Sequence, residues 1–132
     1  VSGFSDPLAL LVVYLTPIMA PTPVVSRVPG ERPVEFLQLR RVGGVALPPV
    51  RETVRIDAFA WAESEARAHL IGSYARDAIW ALSGKLMGGL AVYQVGEFMG
   101  PTMGDDPETG LPRLWITYEL VVRADAAIHQ AP

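Results

Sequence analysis

Hydrophobic and polar positions alternate from Thr53 to Trp61 (TVRIDAFAW), which puts Val54, Ile56, Ala58 and Ala60 on one side of an extended chain. The same period of two recurs from Arg113 to Arg123 (RLWITYELVVR), with Leu114, Ile116, Tyr118, Leu120 and Val122 on one side. Val34–Val42 (VEFLQLRRV) and Leu90–Met99 (LAVYQVGEFM) have the β-branched and aromatic content of two further strands. Between these pairs the period lengthens to that of a helix. Ala68, Ile71, Ala75, Ala78, Ile79 and Leu82 share one face of a helix over Glu63–Ser83. Glu63 and Glu65 suit its positive end, and Gly84 with Lys85 suits its C-terminus. The alanines on that face predict a close approach to a sheet.

A shorter helix is predicted at the start. Asp6 is a capping residue and Pro7 fits the first helical position, so Leu8–Leu15 forms an apolar helix that stops before Pro17. Residues 16–33 are proline-rich and extended, with a short strand at Val24–Val28. Gly43-Gly44 breaks the 34–42 strand and Pro48-Pro49 keeps it from resuming, which predicts a hairpin with a long tip at 43–52. A second hairpin joins 90–99 to 113–123 through a tip at 100–112. The order helix, strand, hairpin, long helix, hairpin predicts an α+β fold. Its sheet is mixed, mostly antiparallel and of four to five strands, with one long and one short helix packed on one face. Residues 1–132 read as a single domain with its core over 6–124 and a frayed tail over 125–132.

Composition narrows the function classes. Half of the 132 residues are hydrophobic, and a chain this long buries roughly two thirds of its unfolded surface, so no staple is required. The absence of cysteine excludes disulfides, thiolate metal sites and a cysteine nucleophile. Net charge is −3, and the eleven Lys and Arg form no basic run, which argues against nucleic acid and anionic membrane as partners. The longest apolar run, Leu8–Leu15, is far short of the roughly 20 residues of a membrane span and follows an acid, not a basic leader. A soluble protein made inside the cell is expected.

Candidate chemistry is sparse. Gly84-Lys85 lacks the upstream glycine and the hydroxyl residue of a phosphate loop. Asp105, Asp106 and Glu108 do not have calcium-loop spacing, and Pro107 interrupts them. His69 lies on the charged face of the long helix, four residues after Glu65, without further ligands placed beside it, and His129 lies in the tail. Asp57, Glu97 and Glu119 lie in strands, where they serve either cross-strand ion pairs or acid–base work. No cofactor, metal or catalytic residue is assigned.

Leftover bulky groups point elsewhere. The sheet face away from the helix mixes Phe59, Trp61 and Trp115 with Arg55, Asp57, Arg113, Glu119 and Arg123. That is the composition of a protein–protein interface, or of a wet face with scattered apolar groups. Trp80 stands among polar residues of the long helix, four after Arg76, in place for a cation–π stack. It either packs beneath the first helix or a loop, or anchors another chain. The tip carrying Val45 and Leu47 is apolar, so it folds back on its own domain or inserts into a neighbour. Trp80, Arg76, Val45, Leu47, Trp115 and Arg55 are the candidate contact residues.

Three stretches together resemble one family. They are Asp6-Pro7-Leu8; Phe59-Ala60-Trp61-Ala62 running into Glu63-Ser64-Glu65-Ala66-Arg67-Ala68-His69; and Glu97-Phe98-Met99-Gly100-Pro101 with Asp106-Pro107-Glu108-Thr109-Gly110-Leu111-Pro112-Arg113. The arrangement resembles the tail terminator, or tail completion, proteins of long-tailed phages of the actinobacterial type, over residues 6–124. The resemblance implies a small α/β sheet with helices on it and a hexameric ring seated on the last ring of tail-tube protein. That ring stops tube growth and offers a surface to the head–tail connector protein, without catalysis, in the neck region of the virion. Two alternatives remain: a connector or adaptor on the head side, and a small hydrolase or isomerase using Asp57 or Glu119.

Overall fold

Asp6 opens the first helix as its side chain predicts: Oδ1 accepts from the backbone N–H of Leu8 at 3.0 Å and of Ala9 at 3.3 Å. In the computed structural model, which describes residues 6–48 and 50–123, this helix, α1, spans Pro7–Met19. It does not stop before Pro17. The proline sits in the last turn, where the missing N–H costs one intrahelical bond, and the added turn buries Met19. The predicted tail lies outside the described residues, as do Pro49 and His129.

The chain continues through β1 (Val24–Val25), β2 (Phe36–Leu47), β3 (Arg51–Trp61), α2 (Glu65–Trp80), β4 (Lys85–Met87), β5 (Leu90–Asp105) and β6 (Pro112–Arg123). One six-stranded sheet has the order β1-β2-β3-β6-β5-β4. The β1–β2 pair is parallel and the others antiparallel. The mixed, mostly antiparallel α+β architecture is therefore as predicted, but with six strands in place of four to five. The short strand predicted at Val24–Val28 is there as the two residues of β1, and the addition is the three-residue β4, too brief to display an alternation.

Both hairpins are longer than predicted. Gly43 and Gly44 continue β2, with φ of 124° and 148°, and Val42 is an extra residue opposite β3. A Cβ on Gly44 would lie 2.0 Å from the Thr53 carbonyl oxygen, so glycine is what lets the two strands pair there. Likewise β5 runs through Gly100-Pro101 to Asp105, with irregularities at Tyr93, at Phe98 and again between Met99 and Thr102. Beyond Val92 its outer side meets no strand among the described residues, so Pro101 removes no ladder bond there. Asp106 closes the shortened turn, its Oδ2 accepting from the Thr109 N–H at 2.9 Å and hydroxyl at 2.7 Å.

Both helices cover one face of the sheet. Leu11, Leu15, Ala68, Ile71, Ala75 and Ile79 meet Leu39, Ile56, Leu114, Ile116, Tyr118 and Leu120 in the main core. A Cβ on Gly72 would sit 2.3 Å from Leu114 Cδ2, the close helix–sheet approach that the small-residue face predicts. Ser64 caps α2 through the Arg67 N–H, and Arg67 pairs with both oxygens of Glu35 at 2.6 and 2.8 Å. At the other end of α2, Tyr14 Oη donates to the Ala78 carbonyl at 2.8 Å. Of the last four helical carbonyls, the other three accept from Ala81, Leu82 and Ser83, so Tyr14 completes the cap. Among the described residues no helix is long and apolar enough to cross a membrane.

Candidate protein–protein interface

Arg76 and Trp80 lie one turn apart on α2, and β5 carries Glu97 on the helix-facing side of the sheet, level with Tyr118 of the core. The three converge. Arg76 Nε and Nη2 donate to the two Glu97 oxygens at 2.6 and 2.9 Å, and Trp80 Nε1 donates to Oε2 at 2.8 Å. Arg76 therefore does not stack on Trp80; both bind a third residue, and no cation–π contact joins them among the described residues. Partial burial alone pushes the Glu97 carboxyl up, but the hydrogen bonds of Arg76 and Trp80 and the Arg76 charge outweigh it and hold it below the usual carboxylate range. The Arg76 guanidinium is raised by the same bonds. The indole is thus fixed by its polar edge, yet Trp80 remains 42% exposed. A rigid aromatic ring with its donor already satisfied loses little entropy when a partner covers it.

The opposite sheet face divides in two. At one end Phe36, Phe59 and Trp61 form a second cluster with Val25, Val28 and Trp115 packed on it. Phe36 stacks on Trp61 and Phe59 on Trp115, with centroids 5.3 and 5.5 Å apart. The proline-rich segment covers this end, and Arg32 lies 5.0 Å above the Trp61 ring while bridging to Asp106 at 3.7 Å. Trp115 is thus half-buried within its own chain, and Trp61 is fully buried. At the other end Arg55 pairs with Glu119 at 3.1 Å and lies 3.9 Å over the ring of Phe98, which is 59% exposed.

Val45 and Leu47 stand on β2 with Val42, and all three are exposed, Val45 at 60%. The 43–52 segment does not fold back over its domain: it is the end of the β2–β3 ladder. Two features escaped the sequence reading. Phe98 was hidden in a strand pattern. A groove of about 430 Å³ between the helices is lined by Tyr14, Ile18, Tyr74, Asp77 and Ala78. Its only sequence signal is Tyr14 and Ile18 at helical spacing beside the buried stripe of α1.

The residues considered for catalysis have other partners. Buried Asp57 accepts from the Thr117 hydroxyl at 2.5 Å, Glu119 pairs with Arg55 and Glu97 with Arg76. Neither the interhelical groove nor those beside Pro21–Pro23 include any of these acids. His69 Nδ1 lies 3.5 Å from the Ser73 hydroxyl, on the exposed side of α2. Gly84, at φ 78°, follows a helix and precedes a strand, the reverse of a phosphate loop, and its N–H donates to the Val92 carbonyl. Among the described residues no His, Asp and Glu cluster is arranged to hold a metal ion. No family model matches the chain, and no curated protein matches it.

Proposed function

We propose that this protein is a structural subunit that acts by binding alone, as a tail terminator: a ring of copies that caps the phage tail tube, ends its polymerisation and presents the head-joining surface. The observation that carries the proposal is the set of bulky groups a lone subunit leaves in solvent. Val42, Val45, Leu47, Phe98 and Trp80 lie on two edges of the sheet and on the outer side of α2. Groups distributed in this way suit a subunit with neighbours on more than one side, and the strand carboxylates are committed to in-chain partners. The resemblance of the Asp6-Pro7, Phe59–His69 and Glu97–Arg113 stretches to tail terminators supplies the identity of the tube. Such a ring works by shape: one side matches the tube end, and the other offers the tube protein nothing to add to.

The test is tube length. Tails assembled without the protein should be overlong and variable by electron microscopy, and adding it back should restore uniform length. Tubes of normal length in its absence overturn the proposal. Retention on portal-proximal proteins but not on tubes would place it on the head side instead.

A further inference from the structure

Short end strands leave most of both sheet edges uncovered. β1 covers β2 only at Leu37 and Gln38, and β4 covers β5 only over Leu90–Val92. Beyond these points the outer sides of β2 and β5 face no strand among the described residues.

The two open edges match each other. One row across the sheet runs Val45, Thr53, Val121, Gln94, and another runs Arg40, Asp57, Thr117, Met99. Between these rows the inner strands carry five residues each, 53–57 and 117–121, whereas the edges carry six, 40–45 and 94–99. Each edge therefore holds one extra residue within the same span, Val42 between the rows of Ile56 and Arg55 on one side and Phe98 one row away, between those of Tyr118 and Thr117, on the other. A regular strand laid on either edge would lose register at the bulge, but the two edges laid together keep it, with Val45 opposite Gln94 and Arg40 opposite Met99. Three antiparallel steps separate β2 from β5, so the two run in opposite directions and copies placed side by side in one orientation would join them as an antiparallel pair.

We infer that the subunits join through these edges, β2 residues 40–45 of one copy pairing with β5 residues 94–99 of the next, to continue one sheet from subunit to subunit. Charge favours this union over the self-pairing of either edge: it lays the Arg40–Arg41 edge beside the edge that carries Glu97, which comes opposite Val42, whereas self-pairing brings arginine towards arginine or Glu97 towards Glu97. The contact is heterologous, so it extends from copy to copy until it closes. The inference rests on the ring reading for closure and names the surfaces that make it.

Absence of native cysteine makes a clean test possible. Opposed residues of an antiparallel pair have Cα atoms about 4.5–5.5 Å apart, within disulfide reach. Concentrated Val45→Cys/Gln94→Cys protein, oxidised and run without reductant, should give a ladder of covalent oligomers. Mixed single variants should stop at dimers, and each single variant should remain monomeric. Adding Val42→Glu, which sets a second carboxylate opposite Glu97, should leave the circular dichroism spectrum unchanged and weaken the ladder. Absence of cross-linking in the double variant, or efficient dimers from Val42→Cys or Val45→Cys alone, overturns the inference. Capped tubes without a ladder would reject the edges and keep the terminator reading, and a ladder from protein that fails to limit tube length would do the reverse.

Discussion

Replacing Glu97 by glutamine removes the charge that Arg76 and Trp80 share. The loss should be about 1 kcal/mol, because the arginine is largely solvated and only the carboxylate is well buried. Since the folded carboxyl titrates below its ordinary value of 4.5, its stabilisation is present above that pH and is lost as pH falls through the folded value. Urea titrations across acid pH should therefore show a shallower decline for Glu97→Gln than for the parent. The decline persists in part, because Glu35 and Asp106 are held low as well, by Arg67 and by Thr109. An unchanged slope would mean that the Arg76–Glu97 bond does not persist in solution. Glycine provides a second residue-scale test. Gly43→Ala meets only an unfavourable φ, but Gly44→Ala also drives its Cβ into the Thr53 carbonyl. The first should cost about 1–2 kcal/mol and the second at least about 3, by thermal denaturation of both.

At the scale of elements, Tyr14 ties α1 to the end of α2. Tyr14→Phe should cost about 1 kcal/mol and leave the main core intact, which native-state hydrogen exchange would register as earlier opening of α1. What could be read in advance follows from where each element takes its stability. The alanine face of α2 and the alternation of β3 and β6 were legible because each buries one full face in the core. β5 runs past its predicted end because Gly100-Pro101 is a breaker in an inner strand but is tolerated at an edge, and sequence does not say which strand is the edge. β2 runs past Gly43-Gly44 for a related reason: the glycines serve a bulge, not a turn. Trp80 and Arg76 could be picked out as misplaced among helix residues. Their meeting with Glu97 depends on how α2 lies across β5, which no local pattern records.

For the whole molecule, what matters is that the groups proposed for assembly contribute little to the lone fold. Val45→Asp and Leu47→Asp fall on exposed positions, so each should change the stability of the isolated subunit by no more than about 0.5 kcal/mol. Both should impair assembly, seen as loss of tube-end binding by electron microscopy. A large fall in melting temperature would instead place these side chains in the subunit's own packing. The main core lies between one sheet face and the two helices, and the exposed ends of β2 and β5 stand outside it.

The three tryptophans have three different surroundings: Trp61 is buried, Trp115 is half-buried against Phe59, and Trp80 lies open to water with its indole N–H held by Glu97. Intrinsic fluorescence consequently carries a built-in gauge. Emission at the long-wavelength edge comes mainly from Trp80, and it should shift to shorter wavelength when a neighbouring molecule displaces water from the ring, while buried Trp61 acts as a steady reference. The chain can thus report its own association in real time, without a dye.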